Sequence, residues 1–228
     1  AAGDVTGVYS NLGNLPAKAV AAQVESGRTE GLPAPLAEAA LEAADTLAKT
    51  GDPQAVDILL DRGILAAMAQ KAGEIGNPFL NKYVEAQVDI ANIRAAVRLK
   101  RMGKNAFFLA KVLAPGGRIP LSAVTEAYTK GYDAILAVIS SSPYGKYLEP
   151  AFDSIRAKES LSLFEKLCDN ALVAVLDEVR RIPFGIEPLI AYLAAKEGET
   201  KAARIVMASK LAGVPAQQIT ERLRETYA

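Results

Sequence analysis

The chain has no histidine and no tryptophan in 228 residues, and it has a single cysteine. Without histidine there is no common general base, no common zinc ligand and no Ser-His-Asp or Cys-His arrangement. One cysteine, Cys168, closes no internal disulfide and builds no cysteine metal cluster, which suits a reducing compartment. Its setting, Leu167-Cys168-Asp169-Asn170-Ala171-Leu172, reads as a small buried apolar residue rather than a reactive thiol.

Excess charge is missing too. Lys+Arg and Asp+Glu each number 26. A nucleic-acid binder carries surplus cations to displace counterions from phosphate, and a polybasic membrane anchor needs them as well. No uninterrupted apolar stretch approaches the ~20 residues that span a bilayer; the longest are pieces such as Ala134 to Ile139. Phosphate cradles are absent: Gly103-Lys104 and Gly145-Lys146 lack the upstream glycine of a P-loop. Gly116-Gly117 reads as a turn. The scattered carboxylates read as helix caps and solvated faces. No catalytic, cofactor-binding or metal-binding residue is assigned, and no cofactor is expected.

What is present is helix-forming sequence. Half of the residues are hydrophobic, enough for one large or two small domains with a sizeable core. Pro35 to Lys49 is typical, dominated by Ala, Leu and Glu. Asp52-Pro53, Asn77-Pro78 and Glu187-Pro188 each set a polar cap candidate before a proline at a first helical position. Breaks fall at Ser26 to Leu32, Ala114 to Arg118, Ser140 to Gly145 and Ile182 to Gly185. These breaks predict about ten helices and an all-α fold; Val5 to Ser10 is the weakest helical stretch.

The chain also repeats itself. Pro78, Asp89, Arg94, Lys100 and Gly103 match Pro188, Glu199, Arg204, Lys210 and Gly213 at one offset of 110, without a gap. Upstream, Asp61 matches Asp169 at an offset of 108. Three helix starts of one type, at Leu15-Pro16, Ile119-Pro120 and Val214-Pro215, read as three copies of a closing element. Only two copies of the Pro-acid-Arg-Lys-Gly segment are present. The front of the first copy is therefore expected ahead of Ala1, roughly 80–100 residues in a whole of roughly 310–330. The expected units are the end of a first repeat at 1–50, a second repeat at 51–140 and a third at 141–228. A unit near 100 residues is too long for a solenoid, so each is a small helical bundle. Three such bundles can close head to tail into a pseudo-threefold body with a central concavity.

On the helix from Pro78, Ile90, Ile93 and Val97 share an apolar face. Arg94, Arg98 and Arg101 form a basic stripe. Residues common to both copies read as structural, with Arg94 and Arg204 closing ion pairs or capping a neighbouring helix. Arg98 and Arg101, replaced by Ala208 and Leu211, are the candidates for contact with an acidic partner; an ordinary solvated face explains them as well.

The stretch Tyr83 to Lys100, with Asp89-Ile90-Ala91-Asn92-Ile93-Arg94 at its centre, resembles a family signature, Asp-x-x-Asn-Ile/Leu-Arg. That signature belongs to the C subunit of the V-type (A/V-type) ATPases, whose eukaryotic counterpart is the d subunit. Pro188 to Gly213 resembles that family's closing repeat, although Ala202 stands where the motif has Asn. The resemblance spans the chain as the last two thirds of such a protein. It implies an all-helical, threefold-repeated funnel in the cytoplasm, peripheral to the membrane. One end binds the membrane proteolipid rotor ring and the other receives the central shaft of the soluble ATPase sector. Members of the family transmit torque during proton or sodium transport and neither hydrolyse ATP nor conduct ions. Two other readings stand beside it: an α-helical repeat scaffold for protein or peptide partners, and an all-helical enzyme with paired acids facing a cavity.

Overall fold

A computed structural model describes residues 15–223. The stretch Val5 to Ser10 lies outside the described residues. Among those described, every regular element is helical. In chain order they are α1 (Ala17–Glu25), α2 (Ala34–Thr50), α3 (Pro53–Ile75), α4 (Pro78–Arg101), α5 (Ala106–Val112), α6 (Leu121–Lys130), α7 (Tyr132–Ser140), α8 (Gly145–Leu148), α9 (Phe152–Arg156), α10 (Ser162–Leu176), α11 (Glu187–Leu211) and α12 (Ala216–Arg222). Single 3-10 turns follow α8 and α10.

Two of the three proposed caps form. The Asp52 side chain accepts from the Gln54 N–H, and Asn77 accepts from Leu80 N–H at 2.9 Å. Each satisfies a donor that the first helical turn leaves free. The third differs. Glu187 is the first residue of α11 and Ile186 is its N-cap. The Glu187 carboxylate instead accepts from Asn77 Nδ2, 2.9 Å away. These two residues are themselves 110 apart, so the same position in two copies meets itself across the structure.

More helices form than the sequence breaks imply. Gly131 ends α6 and starts α7 at φ 115°, a conformation closed to most L-residues. It divides what the sequence presents as one helix. Between α2 and α3, Gly63 permits close approach: a Cβ there would collide with that of Ala39.

The core is centred on α4. Ten of its residues are buried, among them Val88, Ile90, Ile93 and Val97. Ile90, Ile93 and Val97 pack with Leu109, Leu136, Ile139, Leu148, Phe164 and Ala171 of α5, α7, α8 and α10. The expected units at 51–140 and 141–228 thus share one apolar cluster. Helix α11 is the opposite case: only Ala191 and Ser209 are buried along its 25 residues.

Candidate functional site

The residues of the Asp-x-x-Asn-x-Arg segment lie on α4, and each reaches a different neighbour. Asp89 is fully buried. Its carboxylate accepts from the backbone N–H groups of Arg118 and Ile119 at 3.1 and 3.0 Å, and from the Tyr144 hydroxyl at 2.9 Å. Three residues on, one turn along the helix, Asn92 makes a two-way clamp on Ala114. Its Nδ2 donates to the Ala114 carbonyl and its Oδ1 accepts from the Ala114 N–H, both at 2.9 Å. The pair fixes both ends of the loop between α5 and α6, which has no helix to satisfy its own backbone.

The two glycines of that loop are close-approach devices. A Cβ on Gly117 would collide with Asp89 Oδ1, and one on Gly116 would collide with the Ala69 Cβ. The sequence presents them as a turn; the structure shows why the turn needs these residues. The reason lies with Asp89 and Ala69, distant along the chain and brought up by folding.

Burial pushes the Asp89 carboxyl above its ordinary value, against the pull of its three donors. Tyr144 is raised by burial and by the Asp89 charge beside it. Together they form a satisfied structural network with no free acceptor aimed at a cavity.

Arg94 points from α4 to α10. Its Nη2 bonds Asp169 and its Nε lies 3.3 Å from Glu165. Burial opposes its charge, but Asp169, Cys168 and Glu165 outweigh it and raise the guanidinium further. The neighbouring Cys168 thiol is fully buried and pushed up by that burial to about 12. Arg98 Nε pairs with Glu165 at 2.6 Å, and Arg101 donates to the Glu159 carbonyl. The basic stripe therefore already has acceptors within the chain, in α10 and the segment before it. Lys100 donates to the Tyr128 carbonyl at 2.7 Å and lies over the Tyr128 ring.

The second copy keeps the frame and loses the contacts. Helices α4 and α11 end in the same cap, with Gly103 and Gly213 both at φ 69°. In each, the residue after the glycine donates back five positions, Lys104 to Leu99 and Val214 to Ser209. Helices α5 and α12, seven residues each, then begin at the same offset of 110. Leu109 and Ile219 are buried at matching positions. This corrects the three closing elements. Pro215 is the counterpart of Asn105, both N-caps, while Pro120 opens the later helix α6. Proline before a helix is a generic start, so the motif recurs at non-equivalent places. Among the described residues Glu199 pairs with Lys196, one turn away on the exposed face, and Arg204 and Lys210 are exposed. Among the described residues Arg204 closes no ion pair.

No group of three or more potential ligands that could hold a metal ion occurs among the described residues, and no helix there is long and apolar enough to cross a membrane.

The family described as ATP synthase (C/AC39) subunit matches residues 3–222. The chain belongs to that family. It is similar to the C subunit of the A-type ATP synthase of Halorubrum lacusprofundi, 32% identical over 146 residues, which cover 62% of this chain and 40% of that protein. It is similar to the C subunit of the V-type sodium ATPase of Enterococcus hirae, 26% identical over 176 residues, 76% of this chain and 52% of that protein. The aligned part thus spans about half the length of these relatives or less, and they are about 365 and 338 residues long (146 being 40% of one and 176 being 52% of the other).

Proposed function

We propose that this chain is part of a non-catalytic central-stalk rotor subunit of an A/V-type ATPase. It serves as a socket between the central shaft of the ATP-hydrolysing sector and the membrane proteolipid ring. It supports rotation-coupled proton or sodium transport from the cytoplasmic side, peripheral to the membrane. Three repeated helical bundles, the first ending at 50, the second at 51–140 and the third at 141–228, form its funnel.

One observation carries this reading beyond family membership. The signature residues Asp89, Asn92, Arg94 and Lys100 are all engaged in holding α4 to its neighbours. A signature spent on rigidity suits a body that transmits torque, because coupling through a shaft requires a part that does not deform. An enzyme would be expected to aim such groups at a cavity instead.

The test is binding of the full-length protein to two separate preparations, purified shaft subunits and the detergent-solubilised rotor ring. Binding to both is expected. Binding to neither, with folded protein in hand, removes the rotor reading and favours a helical scaffold for other partners.

A further inference from the structure

Helices α4 and α11 match at an offset of 110, and they differ in kind at one buried position. Leu99 of α4 packs in the core at 8% exposure. Its counterpart on α11 is Ser209, also 8% exposed. A hydroxyl taken out of water needs a hydrogen bond to offset its lost hydration. Ser209 makes none with its side chain among the described residues, not even to the Ile205 carbonyl one turn back, the kind of bond that Thr200 makes to Lys196. Ser209 lies instead on the wall of a cavity of about 620 Å³ between α4, α10 and α11.

Donors reach that cavity from all three helices. From α4 comes Arg98, whose Nε pairs with Glu165 at 2.6 Å and whose two terminal nitrogens have no partner among the described residues. The hydroxyls of Ser160 and Ser162, 2.8 Å apart, line the same wall. Ser162 opens α10, a helix of 15 residues, and Leu161 at the N-cap has no side-chain acceptor for the first turn. That turn therefore adds free N–H groups and the positive end of a helix dipole. Glu165 also lines the cavity, but its charge is met by Arg94 at 3.3 Å and Arg98 at 2.6 Å. Arg101 adds positive charge beside Ser160: its guanidinium is held by the Glu159 carbonyl and closes no ion pair among the described residues. Leu161, Ile205 and Ala208 give the rest of the wall an apolar surface.

We propose that this cavity is a phosphoryl-anion site, in which Arg98, Ser160, Ser162 and Ser209 hold the phosphoryl oxygens at the start of α10. A tetrahedral oxyanion accepts several hydrogen bonds at once, matches a guanidinium and is favoured at a helix N-terminus. The cavity lies within the range of small-molecule sites, about 300–1,000 Å³, and leaves room for an organic group on the phosphate. The apolar surface of Leu161, Ile205 and Ala208 suits that group. Both departures of α11 from α4 serve the cavity. Serine in place of the matching Leu99 supplies a donor, and Ala208 in place of the matching Arg98 leaves the space open. The inference goes beyond the rotor reading and does not depend on it.

The test is titration calorimetry of the full-length protein with inorganic phosphate, AMP and adenosine. Phosphate or AMP is expected to bind at millimolar concentration or below, and adenosine, which has no phosphoryl group, is expected to be silent. AMP binding tighter than phosphate identifies a phosphate monoester as the ligand class; phosphate binding as tight or tighter identifies the free anion. Ser209→Leu installs the residue that α4 carries and fills the cavity, and Arg98→Ala installs the residue that α11 carries and removes the guanidinium. Each should weaken binding by about tenfold or more. Ser209→Ala deletes only the hydroxyl and should weaken it by about threefold to tenfold. Circular dichroism verifies that each variant folds. No binding of phosphate or AMP up to about 10 mM overturns the proposal. So does adenosine binding that matches AMP binding, or binding of either anion that the substitutions leave unchanged. None of these outcomes bears on binding to the ring or the shaft.

Discussion

Asp89 shows how much one side chain can organise. It is buried, and it holds two backbone donors and a tyrosine hydroxyl at once. Asp89→Asn turns a donor toward donors and should destabilise the fold by about 1–3 kcal/mol in urea unfolding. The pH dependence follows from the raised carboxyl. A folded value above the unfolded one means that the folded state binds the proton more tightly. The contribution of this group to stability is therefore full below the ordinary aspartate value and is lost as pH rises through the folded value. The gap between wild type and Asp89→Asn should narrow across that window when both unfolding free energies are measured against pH. Gly117→Ala pushes a methyl group into Asp89 Oδ1 and should cost about 1–3 kcal/mol by overpacking. Cys168, buried with its thiol raised to about 12, should resist a thiol reagent in native protein and react at the rate of unfolding.

At the scale of elements, α4 and α11 are a natural experiment: one sequence pattern in two environments. Arg94→Ala removes the guanidinium that the partly buried Glu165 and Asp169 share and should cost about 1.5–3 kcal/mol. The matching Arg204→Ala removes an exposed side chain and should stay within about 0.5 kcal/mol. Denaturant unfolding of the two variants side by side tests the contrast. The caps of these helices are legible in the sequence where the residue chemistry is local: Asp52 and Asn77 reach only two and three residues ahead. Glu187 is not, because its partner Asn77 lies 110 residues away. The structural role of Arg94 can be read from its recurrence, but the same logic fails for Arg204, whose neighbours in the second copy differ.

For the molecule as a whole, burial is uneven. Helix α4 runs through a core shared by residues of α5, α7, α8 and α10, whereas α11 buries two residues. Hydrogen–deuterium exchange should therefore be slowest along α4 and fast along α11, since local opening is easiest where few apolar contacts must break. Adding a partner that covers α11 should slow its exchange selectively.

The order of residues along the chain is enough to give the helical class, the caps set by near neighbours, the offset of 110 and the family signature, because each depends on local propensity or direct comparison along the chain. What the signature does became visible with folding. Asp89 and Asn92 grip one loop, the glycine pair lies against Asp89 and Ala69, and the basic stripe is already joined to α10. These are relations between residues tens of positions apart, and their energies depend on burial and distance that no linear pattern specifies.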